Sequence, residues 1–497
     1  MYPVRYDELH VVSDLHLGGE PGRQIFKGAD ILAALIESLR AQPVERRIAL
    51  VINGDFVDFL AEPDAKAFDP NGAVAKLRRI RNDPVLKPVF DALAAFVARP
   101  GRELVVVLGN HDLELALPDL REELVGLLGG SDGATAGRIR FSLEGAGFVA
   151  EVGGARVLCV HGNDVDGWNA TDYEYLRRLA RDRQFGEIVP AWTPNAGSKM
   201  VIDVMNGIKR NLPFVDLLKP ETEAVVPLLL ALDQAGAGKL REAAGVASKY
   251  VWDGVRRTFG FLNEDDPSRN PVEASAASRA ARPPGGDPLA AIVRDRAAKI
   301  SASATTGSSL LKAVEERLVK GVDPLSLLQG EAGVLGVGDA IFGWIRGRSK
   351  AEIVREALES LHKDRSFDPT AEDDTFRLID EQASSAFDYV VAGHTHLERV
   401  LKRKRGVGTY FNTGTWARLI RIRPEDLADE ATFAPVFHSL QATTIADLDR
   451  TPGLVTHRAT VASIRNDGAG GAKAGLFHAS LAGGTLSFSP VSAEGVL

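Results

Sequence analysis

The chain has 497 residues, 45% of them hydrophobic and 25% charged, with a net charge of −8 and one cysteine. That composition excludes a disordered chain, and at ~150 residues per domain it predicts about three domains or one large domain with an insertion. The acidic balance argues against non-specific nucleic-acid binding, which needs a broad basic surface, and the lone Cys159 cannot form an internal disulfide, which fits a reducing compartment.

The start, Met1-Tyr2-Pro3-Val4-Arg5, has no apolar signal region. The longest apolar run, around 225–232, is far shorter than the ~20 residues of a membrane span, so the expectation is a cytoplasmic protein.

Five short runs rich in Val, Ile and Leu, at 9–12, 48–52, 104–108, 156–160 and 389–392, read as buried strands. Helical stretches at 30–40 and 85–98 separate the first three, giving a β-α-β-α-β start and a largely parallel sheet. Residues 148–152, Gly153-Gly154 and 156–160 read as a hairpin. From 172 to 385 helix-period segments take over, at 172–183, 222–233, 239–258, 308–320, 350–362 and 373–385. Within them, 265–307 is rich in Ala, Ser, Pro, Arg and Gly and reads as a flexible segment. Strand character returns at 409–412 and 417–422, around the turn Thr413-Gly414-Thr415-Trp416. The final stretch holds β-like pieces at 454–463 and 485–489, read as an appended sheet or extra strands.

Each of the five core runs ends in a polar cluster. They are Ser13-Asp14-Leu15-His16, Asn53-Gly54-Asp55-Phe56-Val57-Asp58, Gly109-Asn110-His111-Asp112, His161-Gly162-Asn163-Asp164 and Gly393-His394-Thr395-His396. In open α/β sheets ligands bind outside the carboxyl ends of strands, so five such ends predict one composite site. Asp and Asn oxygens with His nitrogens and no thiolate suit Mn, Fe, Zn or Ni. The set is large enough for two ions sharing one carboxylate, an arrangement that clamps a phosphoryl group and generates hydroxide. Asp14 and His16, like His394 and His396, are two apart and are expected to share one side of an extended backbone. The glycines before Asp55, Asn110 and His394 are expected to turn the chain off each strand.

Asp14-x-His16, Gly54-Asp55, Gly109-Asn110-His111-Asp112, His161-Gly162 and Gly393-His394-x-His396 together resemble the calcineurin-like metallophosphoesterases, motif for motif and in the same order. The resemblance covers roughly 1–168 and 387–422. It implies a two-sheet α/β sandwich with a large helical insertion and a C-terminal β-rich extension. It implies a catalytic domain at 1–170 plus 386–422, a helical insertion or cap at 171–385, and an extension at 423–497. It also implies two divalent ions, manganese first and Fe, Zn or Ni otherwise. One would be held by Asp14, His16, Asp55 and His396, the other by Asp55, Asn110, His161 and His394. His111 matches the histidine that protonates the leaving oxygen, and Asp112 would orient it. The reaction implied is hydrolysis of a phosphodiester or pyrophosphate bond by a metal-bridging hydroxide.

The departures narrow the class. Ser/Thr phosphatases of this superfamily continue with Asp-Arg-Gly and Asn-His-Glu, whereas here Asp58 is followed by Phe59-Leu60 and Asp112 stands in place of Glu. The style of the first two motifs resembles the UDP-diacylglucosamine pyrophosphatases, although those carry Arg where this chain has His111. The expected substrate is a phosphorylated small molecule or a nucleotide- or lipid-linked diphosphate. The rivals are a repair-type nuclease, which acidity disfavours, and a silent scaffold, which normally loses ligands. The insertion leaves after His161 and returns before His394, so it is read as a cap beside the site. Lys209, Arg210, Arg177 and Arg178 are phosphate-binding candidates. Residues 334–345, with Trp344, read as a buried core helix, with a helix able to meet a membrane or lipid as the alternative. Lys402-Arg403-Lys404-Arg405 reads as a solvated hairpin tip, and His10 and Cys159 as core residues.

Overall fold

The computed structural model describes residues 3–130, 132–167, 169–187, 192, 194–210, 212–218, 349–361, 367–441 and 444–492. The helical expectations at 222–233, 239–258 and 308–320, the segment 265–307 and the apolar helix at 334–345 lie outside the described residues.

In chain order the strands are β1 (Val4–Tyr6), β2 (Glu8–Val12), β3 (Ile48–Asn53), β4 (Arg102–Val107), β5 (Ile139–Ser142), β6 (Phe148–Val152), β7 (Ala155–Cys159), β8 (Tyr389–Ala392), β9 (Glu398–Lys402), β10 (Thr409–Thr413), β11 (Leu419–Ile420), β12 (Val455–Thr456), β13 (Ala459–Asn466), β14 (Ala472–Ala482) and β15 (Thr485–Pro490). One seven-stranded sheet runs β15-β14-β13-β2-β3-β4-β5, and a six-stranded sheet runs β1-β6-β7-β8-β10-β9. β2, β3, β4 and β5 are parallel neighbours, as the β-α-β-α-β start predicts.

The apolar runs do not alternate because both faces of the first sheet are covered. Val12, Leu50, Ile52, Leu104 and Val106 face helices Ala29–Ala41, Ala73–Asn82, Lys87–Ala98 and Pro118–Leu127. Leu9, Val11, Ala49, Val51, Val105 and Val107 face the second sheet, meeting Val157, Cys159, Val391 and Phe411. Beyond the second sheet, Leu158, Val390, Ala392 and Tyr410 pack on Phe376, Ile379 and Ala383 at helix Asp374–Gln382. The result is a helix–sheet–sheet–helix stack.

Some helices begin at a capping carboxylate, although the four packed on the first sheet have no side-chain cap. Asp172 accepts from Tyr175 N at the start of Tyr173–Gln184, and Asp373 accepts from Phe376 N. The C-terminal stretch holds two helices, Glu430–Leu440 and Ile445–Asp449, that the sequence reading did not contain. Its later strands extend the first sheet: β13 pairs antiparallel with β2, Ser463 opposite His10. Trp416 locks this junction. It is fully buried, and its Nε1 donates to Thr460 O at 3.0 Å. Of the strand expected at 417–422, Leu419–Ile420 pairs with β12 and Ala417 makes an isolated bridge with Phe26. Among the described residues no helix is long and apolar enough to cross a membrane.

Candidate metal centre

β2, β3 and β4 end on one sheet, β7 and β8 on the other, and all five ends meet. Asn53 joins the sheets beneath the site, its Nδ2 donating to Val160 O (2.8 Å) and Val391 O (3.3 Å). The loop after β2 then lies along the loop after β3, with Asp14 N donating to Gly54 O (3.1 Å) and His16 N to Asp55 O (2.9 Å).

The backbone corrects the expectation of an extended chain. Asp14 (φ 52°), His16 (φ 48°), Asp55 (φ 51°), His394 (φ 70°) and His396 (φ 61°) are all left-handed. A left-handed residue on each side of Leu15 sends that side chain into the core while Asp14 and His16 face the site. His394 and His396 repeat the pattern around Thr395. Such conformations cost about 1–3 kcal/mol each and persist where the surroundings enforce them, typically at functional sites.

The glycines also act differently from expectation. Gly54 is left-handed (φ 88°), but Gly109 and Gly393 do not have positive φ. They are glycines for space: a Cβ on Gly109 would overlap the Asp55 carboxylate, and one on Gly393 would overlap Asp14 and Ser13. A Cβ on Gly54 would run into the His161 ring.

Asp14, His16, Asp55 and His396 converge as one group of donors. His16 Nε2 lies 2.9 Å from His396 Nε2, and His396 Nε2 lies 3.4 Å from Asp14 Oδ1. Donors about 2.1 Å from a common ion at right angles stand roughly 3.0 Å apart, so these spacings fit one cation. Asp55 Oδ2 is 3.7 Å from His16 Nε2 and 3.3 Å from His161 Nε2, so a single oxygen faces both ligand sets. Asp55 Oδ1 accepts from His111 N at 2.9 Å. On the second side His161 Nε2 is 3.3 Å from Asn110 Oδ1. His394 stands next to this pair, its ring 5.4 Å from that of His161, but its Nε2 is turned to Asp166 Oδ2 at 3.0 Å.

Two further contacts fix tautomers. His161 Nδ1 donates to Asn53 O (2.9 Å), and His16 Nδ1 faces Asp58 Oδ2 (3.0 Å). In each ring Nε2 is then the nitrogen that faces the site.

Charge accounting also points to cations. Asp14 and Asp55 are buried, and among the described residues neither pairs with lysine or arginine. Burial would raise both carboxyls, but the surrounding imidazoles outweigh it and hold both low, Asp55 strongly. Burial likewise opposes the charge on His111 and His161, yet the facing carboxylates raise them to about 9 and about 10. Two buried carboxylates therefore draw positive charge into the site, which bound cations satisfy.

The expected orienting role of Asp112 is corrected. Its carboxylate accepts from Gly109 N (2.7 Å) and Phe56 N (2.8 Å), clamping the second-motif loop to the third. The carboxylate beside the His111 ring is Asp58, whose Oδ1 is 3.1 Å from Nδ1. Asp58 thus serves His16 through one oxygen and His111 through the other. It stands in the quoted Gly-Asp-Phe-Val-Asp run, but only the crossing of the two loops brings it to His111. The His111 side chain is 20% exposed, against 2% or less for His16, Asp55 and His161, so His111 is the most accessible of these four groups.

Of the basic candidates, Lys209 Nζ pairs with Asp216 at 2.6 Å, and its charge opposes that of His111. Arg177 pairs with Glu174, and Arg178 lies over the Tyr175 ring. Arg210 is exposed. The run at 402–405 is not a simply solvated tip: Arg403 is buried against Asp380 (2.7 Å) and bonds the carbonyls of Ala383, Ser384 and Phe387.

A family model of the calcineurin-like phosphoesterases matches residues 9–210. The match spans the first four motifs, and the fold returns His394 and His396, which lie beyond it, to the same centre. No curated protein matches the chain.

Proposed function

Residues 9–210 match a family of metal-dependent phosphoric ester hydrolases, and on that footing we propose that the protein hydrolyses a phosphodiester or pyrophosphate bond at a dinuclear centre. The observation that carries the reading is Asp55, buried and facing both donor sets through one oxygen. Asp14, His16, Asp55 and His396 would hold one divalent ion, and Asp55, Asn110, His161 and His394 the other, with manganese the first choice. When bound, such a pair supplies Lewis acidity toward a phosphoryl oxygen and lowers the pKa of water.

The chain's own groups do the rest. His111 is held by Asp58, whose carboxylate favours the protonated ring, and stands where it can give a proton to a leaving oxygen. Asp112 keeps the second- and third-motif loops in register so that Asp55 and His111 stay aligned.

The insertion at 171–385 is proposed as a cap over a nucleotide- or lipid-linked substrate. Two of its described segments support this. Pro213–Leu217 and Lys350–Leu361 meet in one apolar cluster with Ile25 and the helix Glu430–Leu440, and Asn206 Nδ2 donates to Leu60 O (2.9 Å) in the second-motif loop. The test is hydrolysis of bis-p-nitrophenyl phosphate by the full chain with Mn²⁺, with p-nitrophenyl phosphate for comparison. Diester turnover that EDTA abolishes is expected. Absence of turnover with every divalent metal tried, in folded protein, overturns the reading.

A further inference from the structure

Asp166 belongs to none of the five motifs, yet it faces a proposed ligand of the second ion. Its Oδ2 lies 3.0 Å from His394 Nε2 and accepts from Asn169 Nδ2 at 2.7 Å. Asn169 Oδ1 in turn accepts from Asn110 Nδ2 at 3.5 Å. Asp166 is fixed by its own turn: its N–H bonds Asn163 O (3.1 Å), and its carbonyl accepts from Asn169 N (3.0 Å) and Ala170 N (2.9 Å). His394, Asp166, Asn169 and Asn110 therefore form one chain of contacts that joins two donors of the second set.

Two consequences follow from the chemistry. With Nε2 held by a carboxylate, the nitrogen that His394 keeps for a cation is Nδ1, and the negative partner makes the ring a stronger donor. With Asn110 Nδ2 held by Asn169, Asn110 presents its oxygen toward His161. The first set is organised mainly by Asp58 and the backbone, and it meets His394 only through the backbone N–H that Asp14 accepts (3.0 Å), not through the ring that Asp166 holds.

We infer that Asp166 is a positioning residue for the second cation, holding His394 directly and Asn110 through Asn169. The inference rests on the dinuclear reading proposed above. The test is calorimetric titration of Mn²⁺ into metal-stripped full-length protein, with circular dichroism as the fold control.

Wild type is expected to take two equivalents. Asp166→Ala should leave the first unchanged and weaken the second about 10- to 100-fold. Asp166→Asn, which keeps an acceptor and the turn, should fall between the two. A general loss of packing would weaken both equivalents and lower the melting temperature together. If folded Asp166→Ala binds both equivalents as wild type does, the inference is overturned. If that variant does not fold, Asp166→Asn decides, and wild-type affinity for the second equivalent overturns it. Fewer than two equivalents in wild type would instead overturn the dinuclear reading, and this inference with it.

Discussion

Replacing Asp58 by Asn changes almost no volume, but the hydrogen-bond pattern forbids it from being neutral. Asp58 Oδ1 accepts from Leu60 N and Ala61 N, both at 3.0 Å, and faces His111 Nδ1. In the variant the amide oxygen must stay on that side to keep the two backbone donors satisfied. The NH₂ group then faces His16 Nδ1, which now has to accept. His16 consequently carries its proton on Nε2, the nitrogen aimed at His396 and the proposed ion. One charge-assisted bond is lost, worth about 1.5–3 kcal/mol. The proton on a ligating nitrogen adds to it, so a total of about 2–4 kcal/mol is expected, or roughly 30- to 900-fold in kcat/KM. The assay is steady-state diester hydrolysis with Mn²⁺, beside a Mn²⁺ titration of the same variant. Both should fall, because one residue serves a ligand and the proton donor together. Activity within threefold of wild type with unchanged metal affinity would refute the reasoning.

Other expectations follow from single features. Gly109→Ala should abolish activity and lower stability, because its Cβ would overlap both the Asp55 carboxylate and the Asp55 backbone nitrogen; an active, fully stable Gly109→Ala enzyme would contradict the packing described. Burial raises Glu114 to about 7 while Asp69 N bonds its carboxylate. The folded state therefore keeps a proton that the unfolded chain releases near pH 4.5, so this group costs stability as pH rises from there through 7, on the order of 3 kcal/mol. Urea unfolding of Glu114→Gln should show it more stable than wild type at pH 8 and equal at pH 4.5; the same difference at both pH values would refute the assignment. Trp416→Ala should lose about 3–5 kcal/mol, and hydrogen exchange should show β13 loosening from β2 before the other strands of the first sheet.

The centre was legible because its chemistry sits at strand ends. A short apolar run followed by Asp, Asn, His and Gly names both the strand and what its loop carries. The two-sheet sandwich came from the family resemblance; which run joins which sheet was not legible, since all five are buried apolar runs that look alike. The exchange of roles between Asp58 and Asp112 depends on which loop crosses which, and sequence spacing does not encode that. Left-handed Asp and His residues carry no local signature comparable to glycine. The helix Glu430–Leu440 contains Pro435, which reads as a breaker, and β14 is rich in Ala and Gly, which weakens its strand signal. The pairing of β13 with β2 joins residues more than 400 positions apart. Asp166 had no motif partner to draw attention to it.

Asp55 bears the central claim, since one of its oxygens faces both donor sets. The most direct measurement is the metal content of wild type and Asp55→Ala after Mn²⁺ loading and desalting. Two ions per chain are expected in wild type, and fewer than one in the variant with its fold intact. Two ions retained by Asp55→Ala, or one or none in wild type, would contradict the account.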